Sequence, residues 1–375
     1  PIPPGTVFGV PDRLLPVARS GLLSPVGMAR AGLDLVLPRR PVPDDPSVGE
    51  LLRPRLGAEV FDRLVDPLLG GVHAGPADLL SARACVPEVE ALVRGNRSLV
   101  LGMRRRRRPS LSGGAPAAAA AAGPVLATLD GGLTRLVSAL GDRLGDTAVR
   151  LGSPAVAVDQ ADGGRYRVHL GDGSTLEAHA VVLAAPAYAA AQLLAALSPP
   201  AAEALAEIPH ADVASLTLVY RTAALTRPLD GTGFLVPPTE KRLLVGCSWL
   251  PAKWPQLADD RHVLIRGMVG RYGDTRFADL DDDSLAAAVH DELVAAMGLS
   301  APPSHAVVWR WPQAMPQYTV GHLSRLQRID RALAGLPGLV VTGAGYRGVG
   351  LASCVTQARQ AAVAVTERLH GRVHR

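Results

Sequence analysis

The chain has 375 residues, 48% of them hydrophobic, which is enough for about two domains with a sizeable core. Its net charge of +5 is accounted for by the single run Arg104–Arg108, so no nucleic-acid-binding face is indicated. Three scattered cysteines without a C-x-x-C pair argue against a disulfide framework or a metal site and fit the cytoplasm. The sequence contains no run of eighteen apolar residues, so no membrane-spanning helix is expected.

The first hundred residues are predicted to be mainly helical. Ser47 and Glu50 fit a capping box at the start of one helix. Apolar residues at helical spacing predict another helix over 61–69, which two glycines end. His73, beside this glycine pair, is a candidate catalytic residue, but a structural or exposed role is the usual one for a lone histidine.

A low-complexity segment follows at about 104–123. It contains five arginines, a Ser/Gly/Pro stretch and six alanines. We interpret it as a disordered insertion between structural elements. A contact with an acidic membrane surface or with RNA is the alternative for its basic part.

After the insertion, Gly131 and Gly132 open a predicted helix. The apolar stripe of this helix is Leu133, Leu136, Leu140 and Leu144. From residue 148 the period changes to two, which predicts a small antiparallel meander that leads into a buried strand. The predicted strands are 149–151, 155–158, 165–170 and 180–185.

The segment 188–335 mixes strands with helices. Its predicted strands are 215–221, 234–236, 243–249, 263–269 and 307–311. A helix is expected to begin near Asp281, where acidic residues suit the helix dipole, and its apolar residues are spaced by four. Trp309 and Trp311 alternate along the last of these strands.

The C-terminal region contains a glycine turn, defined as residues 343–350, between a short buried strand and a helix over 352–369. Gly343, Gly345 and Gly348 spell G-x-G-x-x-G, a dinucleotide-binding pattern. Only 27 residues follow Gly348, too few for a second parallel strand and its ribose-binding acid. The turn is therefore either one piece of a nucleotide-binding domain begun elsewhere or a structural turn.

Taken in order, these segments resemble the protoporphyrinogen/coproporphyrinogen oxidase family of flavoproteins, in the monoamine-oxidase-like superfamily. The most specific feature is the pattern M-P-Q-Y-x-x-G-H at 315–322 combined with the glycine turn. The likeness covers nearly the whole chain apart from the Arg/Ala-rich insertion. The other segments that carry it are 5–11, 66–75, 131–133, 181–186 and 231–237.

The resemblance implies an α/β (α+β) two-lobed flavin oxidase. A discontinuous, Rossmann-like FAD lobe would combine 124–187 with 336–375, and a substrate lobe would combine the helical segment 1–123 with the mixed sheet of 188–335. The family's N-terminal strand–glycine–helix unit, which holds the FAD pyrophosphate, has no counterpart in the sequence and is expected upstream of Pro1. The oligomeric state is not predicted.

The resemblance also implies FAD, a porphyrinogen substrate and O₂. The expected reaction is the six-electron oxidation of coproporphyrinogen III to coproporphyrin III, or of protoporphyrinogen IX to protoporphyrin IX, in haem biosynthesis with hydrogen peroxide as by-product. Because a flavin carries the redox chemistry, no side chain is expected to be catalytic. No nucleic-acid partner is expected, whereas peripheral membrane contact is left open.

The resemblance assigns roles to particular positions. The backbone of Val349, Gly350 and Leu351 would lie against the flavin pyrimidine edge, with Gly343 and Gly348 shaping the turn. The remaining assignments are Ala155 near the adenine, Trp311 near the flavin, and Gly71, Thr232, Leu235 and Met268 around the porphyrinogen. An ordinary strand residue is the alternative for Ala155, and a core tryptophan is the alternative for Trp311.

Two other functions stay open. The first is another flavin oxidase or desaturase of the superfamily, acting on amines or carotenoids, although no aromatic cage or cysteine tether is evident. The second is a non-catalytic protein that binds a porphyrin or a flavin.

Overall fold

The computed structural model describes residues 6–7, 9–11, 14–107, 127–145 and 147–373. Its strands are β1 (Thr6–Val7), β2 (Val10–Pro11), β3 (Ala155–Ala161), β4 (Arg165–Leu170), β5 (Thr175–Ala178), β6 (Val181–Leu183), β7 (His210–Arg221), β8 (Gly233–Leu235), β9 (Leu244–Trp249), β10 (His262–Val269), β11 (His305–Pro316) and β12 (Leu339–Val341).

Helices account for most of the first hundred residues and for the C-terminus. They are α1 (Leu14–Arg19), α2 (Pro25–Gly32), α3 (Val48–Leu56), α4 (Ala58–Val60), α5 (Asp66–His73), α6 (Ala82–Cys85), α7 (Pro87–Gly95), α8 (Leu99–Arg107), α9 (Thr134–Leu144), α10 (Ala187–Leu194), α11 (Pro199–Ala206), α12 (Leu250–Lys253), α13 (Asp282–Met297), α14 (His322–Leu333) and α15 (Leu351–Val373). None of the described helices is both long and apolar enough to cross a membrane.

The N-terminal helices α1 to α8 enclose their own hydrophobic core. The predicted capping box of α3 is confirmed, because the Glu50 N–H donates to Ser47 Oγ and the Ser47 N–H donates to Glu50 Oε2. The first arginines of the predicted disordered insertion, 104–107, lie in the last turn of α8. Residues 108–123 of that insertion lie outside the described residues.

A five-stranded antiparallel sheet, in the order β11-β7-β10-β9-β8, forms the centre of the second half of the chain. Helix α13 covers one face of this sheet. As the spacing of four predicts, Leu285, Val289, Leu293 and Met297 are all buried on the side of α13 that packs against the strands. We call the opposite side of the sheet the open face.

Two smaller sheets complete the fold. An antiparallel meander forms as predicted, and the predicted strands 155–158 and 165–170 are confirmed as parts of β3 and β4, but its third strand, β5, was not predicted. Strand β6 pairs in parallel with β12. The predicted strand at 149–151 is wrong: Leu151 is 89% exposed and forms a turn with Gly152. Three alternating residues are a weak signal, and no strand among the described residues pairs with them.

Helix α9 forms where the sequence predicts it, but the environment of its apolar stripe differs from the expectation. Leu133, Leu140 and Leu144 are exposed, and no residue of α9 is buried among the described residues. Helical periodicity identifies an apolar face, whereas what covers that face depends on tertiary contacts.

Candidate functional site

The glycine turn connects β12 to α15. Gly343 and Gly348 have φ angles of +128° and +123°, a region that side-chain-bearing residues rarely adopt. At Gly348 a Cβ atom would also lie 2.7 Å from the side chain of Ser353. Both positions therefore require glycine.

The first turn of α15 presents free hydrogen-bond donors. Its first helical bond runs from the Cys354 N–H to the Gly350 carbonyl at 3.0 Å. The N–H groups of Leu351, Ala352 and Ser353 have no acceptor among the described residues, and the Leu351 side chain is exposed. Free donors combined with the positive end of the helix dipole favour an anionic or electron-rich group, and this donor set fits the flavin edge that the resemblance implies.

Tyr318 holds the glycine turn together. Its hydroxyl donates to the Ala344 carbonyl at 2.6 Å and accepts from the Gly348 N–H at 2.7 Å. Burial raises the pKa of Tyr318 well above its usual value, so the hydroxyl keeps its proton and remains able to donate. One side chain thus joins the two ends of the turn.

His322 supports the same turn from the start of α14. Its Nε2 lies 2.8 Å from the carbonyl oxygen of Tyr346, which requires a proton on Nε2. The imidazole also stacks on the Tyr318 ring, with 4.0 Å between ring centroids. Burial lowers the pKa of His322 to about 4, so the ring is neutral at pH 7. The pattern at 315–322 and the glycine turn, which the resemblance pairs, are therefore in direct contact.

Removing the Tyr318 hydroxyl is expected to loosen the glycine turn. Tyr318→Phe leaves the Ala344 carbonyl and the Gly348 N–H without their partner, which should lower the free energy of unfolding by about 2 kcal/mol. Urea denaturation measures this change. Tyr346→Phe is the matched control, because the buried Tyr346 hydroxyl has no hydrogen-bond partner among the described residues. Equal losses in the two variants would contradict the role given to Tyr318.

The open face of the large sheet carries a row of side chains across all five strands. Strand register places Trp309 opposite Ser215, Ser215 opposite Met268, Met268 opposite Gly246, and Gly246 opposite Leu235. Directly opposed residues of antiparallel strands point to the same side of the sheet. At about 4.8 Å between neighbouring strands, this cross-strand row extends over about 19 Å.

The helical N-terminal region closes one end of the cross-strand row. The Leu235 Cδ2 atom lies 3.4 Å from the position of a Cβ at Gly71 and 3.0 Å from that of a Cβ at Gly246. The Met268 Cε lies 3.4 Å from the latter position. Three of the four predicted substrate residues, Gly71, Leu235 and Met268, are thus brought together. The fourth, Thr232, is exposed in the loop before β8, where its carbonyl accepts the Trp249 N–H.

The two tryptophans of β11 lie on the open face. Trp309 is 60% exposed and Trp311 is 53% exposed, so the interpretation of Trp311 as a core residue is wrong. Alternation correctly puts both on one side of the strand, but it does not reveal which side is covered. Trp311 is the closer of the two along β11 to Tyr318 and hence to the glycine turn.

Ala155 belongs to the small sheet β3-β4-β5 and not to the glycine turn or the large sheet. It begins β3, opposite Leu170, and makes no hydrogen bond to the glycine turn among the residues that the structure describes. Sequence reasoning gave no role to Ser215, Gly246 or Trp309, although they share the row with Met268 and Leu235. Only strand register identifies them, and register requires knowledge of the sheet order.

Comparisons with known proteins agree on a flavoenzyme. The family model for flavin containing amine oxidoreductases matches residues 8–366. The chain is 35% identical to the coproporphyrinogen III oxidase of Bacillus subtilis (strain 168), over 96% of this chain and 76% of that protein. It is 33% identical to the protoporphyrinogen oxidase of Bos taurus, over 89% of this chain and 72% of that protein.

A solved structure with the same architecture comes from Exiguobacterium sp. 255-15 and carries the provisional name protoporphyrinogen oxidase. It superimposes with a TM-score of 0.83 at 30% sequence identity. The match covers 99% of this chain and 78% of that one. The likeness extends over both the glycine turn and the large sheet.

Proposed function

The chain belongs to the family of flavin containing amine oxidoreductases, and from that premise we propose that this flavin-dependent oxidoreductase oxidises a porphyrinogen to the porphyrin. The names of the relatives support the substrate class, and coproporphyrinogen III is the substrate we favour, with protoporphyrinogen IX as the alternative. The observation that carries the proposal is the cross-strand row, which ends against Gly71, because a row about 19 Å long that presents apolar side chains such as Trp309 and Met268 suits a flat, largely apolar macrocycle.

We take the flavin to be FAD, which would remove two electrons at a time so that O₂ regenerates it three times and three molecules of hydrogen peroxide form. The residues of this chain would bind and orient the flavin and the porphyrinogen. The backbone of Val349, Gly350 and Leu351, with its free helix donors, would hold the electron-rich edge of the ring system. Gly343 and Gly348 give that turn its shape. We expect the reaction in the cytoplasm, as the cysteine pattern indicates.

Trp311 and Ala155 keep the roles that the resemblance implies. Trp311 projects from the open face at the end nearest the glycine turn, which supports a place beside the flavin. Ala155 would offer its backbone to the adenine. Gly71, Thr232, Leu235 and Met268 would surround the macrocycle, and the contacts among three of them support this assignment.

The division into lobes belongs to the same proposal. The segments 124–187 and 336–375 would form the flavin lobe, and the parallel pairing of β6 with β12 supports this, because it joins the two segments directly. The segments 1–123 and 188–335 would form the substrate lobe. Their association is supported by the Tyr272 N–H bond to Ala74 and by the Gln317 side-chain bond to His73, both 2.7 Å long.

The proposal is tested by anaerobic reduction. Protein loaded with FAD should lose its flavin absorbance when coproporphyrinogen III is added, and porphyrin fluorescence should appear when air is admitted. Protoporphyrinogen IX, assayed in parallel, should give a lower kcat/KM. Protein without flavin serves as the control for uncatalysed oxidation.

Other outcomes of this experiment separate the alternatives. Bleaching of the flavin by a primary amine, without bleaching by either porphyrinogen, would indicate an amine oxidase. Failure to take up any flavin would favour a non-catalytic binding protein.

A further inference from the structure

Arg266 lies on the open face beside the cross-strand row. It belongs to β10, where it stands opposite Thr217 of β7 and Ser248 of β9. Met268, two residues further along the same strand and on the same face, is a member of the row. Residues two apart in a strand are separated by about 6.7 Å, so Arg266 is within one side-chain length of the row.

The guanidinium of Arg266 makes no ion pair or hydrogen bond among the described residues, and the residue is exposed. Arg310, which points to the other side of the same sheet, contrasts with it. The Arg310 side chain pairs with Asp282 at 2.8 Å and donates to the carbonyls of Phe277 and Leu280. The fold thus neutralises one sheet arginine with internal partners and leaves the other with two hydroxyl side chains as its cross-strand neighbours.

We propose that Arg266, flanked by the hydroxyl groups of Thr217 and Ser248, is a subsite for a carboxylate of the substrate. A guanidinium presents two parallel N–H donors that match the two oxygens of a carboxylate, and neighbouring hydroxyls supply additional donors. This inference rests on the proposed function in one respect: a porphyrinogen of the kind proposed carries carboxylate side chains on a largely apolar ring.

The position of Arg266 along the sheet gives the subsite a role in orientation. The residues directly opposite Arg266 lie parallel to the cross-strand row and reach β11 at Val307, since Thr217 stands opposite both Arg266 and Val307. Along β11, Val307 lies farther from Tyr318 than Trp309 or Trp311 does. A carboxylate held at Arg266 would therefore direct the acidic edge of the macrocycle away from the glycine turn and leave the opposite edge towards it.

Binding of the reaction product measures this subsite without turnover. Coproporphyrin III, which has four carboxylates, and its tetramethyl ester, which has none, are titrated into FAD-loaded protein and followed by porphyrin fluorescence. Arg266→Gln is expected to weaken binding of coproporphyrin III about 10-fold, the loss of about 1.4 kcal/mol that one exposed charge-assisted contact supplies. Binding of the ester should change less than twofold, on the order of 0.4 kcal/mol.

Two further variants make the result specific. Arg328→Gln removes a positive charge from α14, where Arg328 pairs with Glu207, and should leave binding unchanged. Arg266→Lys retains the charge without the fork of donors and should restore part of the affinity. The increase in Kd with added salt should be shallower for Arg266→Gln than for the unmodified protein.

Failure of this inference can be distinguished from failure of the proposed function. If the unmodified protein and Arg266→Gln bind coproporphyrin III equally well, the carboxylate subsite is overturned and the proposed function is unaffected. The subsite is likewise overturned if Arg266→Gln weakens the ester and the acid alike. If the unmodified protein binds neither porphyrin, the proposed function itself fails, and the subsite fails with it.

Discussion

Replacing Gly233 by alanine is expected to lower the free energy of unfolding by about 3–5 kcal/mol, from unfavourable backbone conformation together with steric overlap. Gly233 begins β8 with a φ of +147°, a conformation that is nearly restricted to glycine. An added Cβ would lie 2.0 Å from the Cys247 carbonyl oxygen and 2.9 Å from the Ser248 Cα. Both atoms belong to the backbone of β9, so the overlap is relieved only if the two strands separate.

Gly231→Ala is the matched control for Gly233→Ala. Gly231 also has a positive φ, +85°, but its added Cβ would make only an ordinary contact of 3.8 Å with Trp249. The control should therefore lose about 1–2 kcal/mol, from backbone conformation alone. Urea denaturation of both variants provides the comparison. Equal losses would contradict the overlap between β8 and β9.

The displacement of β8 should also affect porphyrin binding. Leu235, two residues after Gly233, closes the end of the cross-strand row against Gly71. Gly233→Ala is therefore expected to weaken coproporphyrin III binding, whereas Gly231→Ala should not.

The sequence predicts local structure well where the signal is local. The capping box of α3 depends on two residues three positions apart, and the apolar spacing in α13 repeats over four turns. Both are confirmed because a helix forms from contacts within its own segment. The strand predicted at 149–151 fails for the complementary reason, since a strand requires a partner that the sequence does not identify.

The candidate site is predicted only in part, because it depends on register and on long-range contacts. Leu235 and Met268 are 33 positions apart in sequence. Their side chains approach each other over Gly246 of β9, the strand that lies between β8 and β10. The chain itself contains no sign that Ser215 and Gly246 belong to the same row. The assignments of Val349, Gly350 and Ala155 to parts of the flavin remain predictions.

The resemblance identifies the pattern at 315–322 and the glycine turn as a pair, and the structure supplies the physical reason. Tyr318 joins two backbone groups of the turn, and His322 holds a third. A sequence pattern shows which residues occur together but not which atoms they connect. The contacts show that residues of the diagnostic pattern hold the glycine turn, and with it the N-terminus of α15 that faces the proposed flavin site.

The stability of the protein is expected to fall below pH 6.5, and His322 should account for a large share of the fall. Its pKa is about 4 in the folded protein and 6.5 in an unfolded chain, so between these values the unfolded state binds more protons. Stability is therefore fully present above pH 6.5 and decreases as the pH falls towards 4. Between pH 7 and pH 4.5 the contribution of His322 is about 2 kcal/mol.

His322→Gln tests this assignment, because glutamine keeps an N–H donor for the Tyr346 carbonyl but does not titrate. The variant should be less stable than the unmodified protein at pH 7, since it loses the stack on Tyr318. Between pH 7 and pH 4.5, the free energy of unfolding of the variant should then fall by about 2 kcal/mol less than that of the unmodified protein. Some decrease should remain, because burial also lowers the pKa of His73 and His210.

The informative quantity is the slope of stability against pH rather than the stability itself. Urea denaturation at pH 7, 6, 5 and 4.5 gives that slope for each protein. His305→Gln serves as the control, because His305 is exposed and its side chain makes no hydrogen bond or ion pair among the described residues, so its replacement should leave the slope nearly unchanged. An identical slope for His322→Gln and the unmodified protein would mean that His322 is protonated at little cost. In that case burial would not disfavour the charged ring, and His322 would not be the source of the pH dependence.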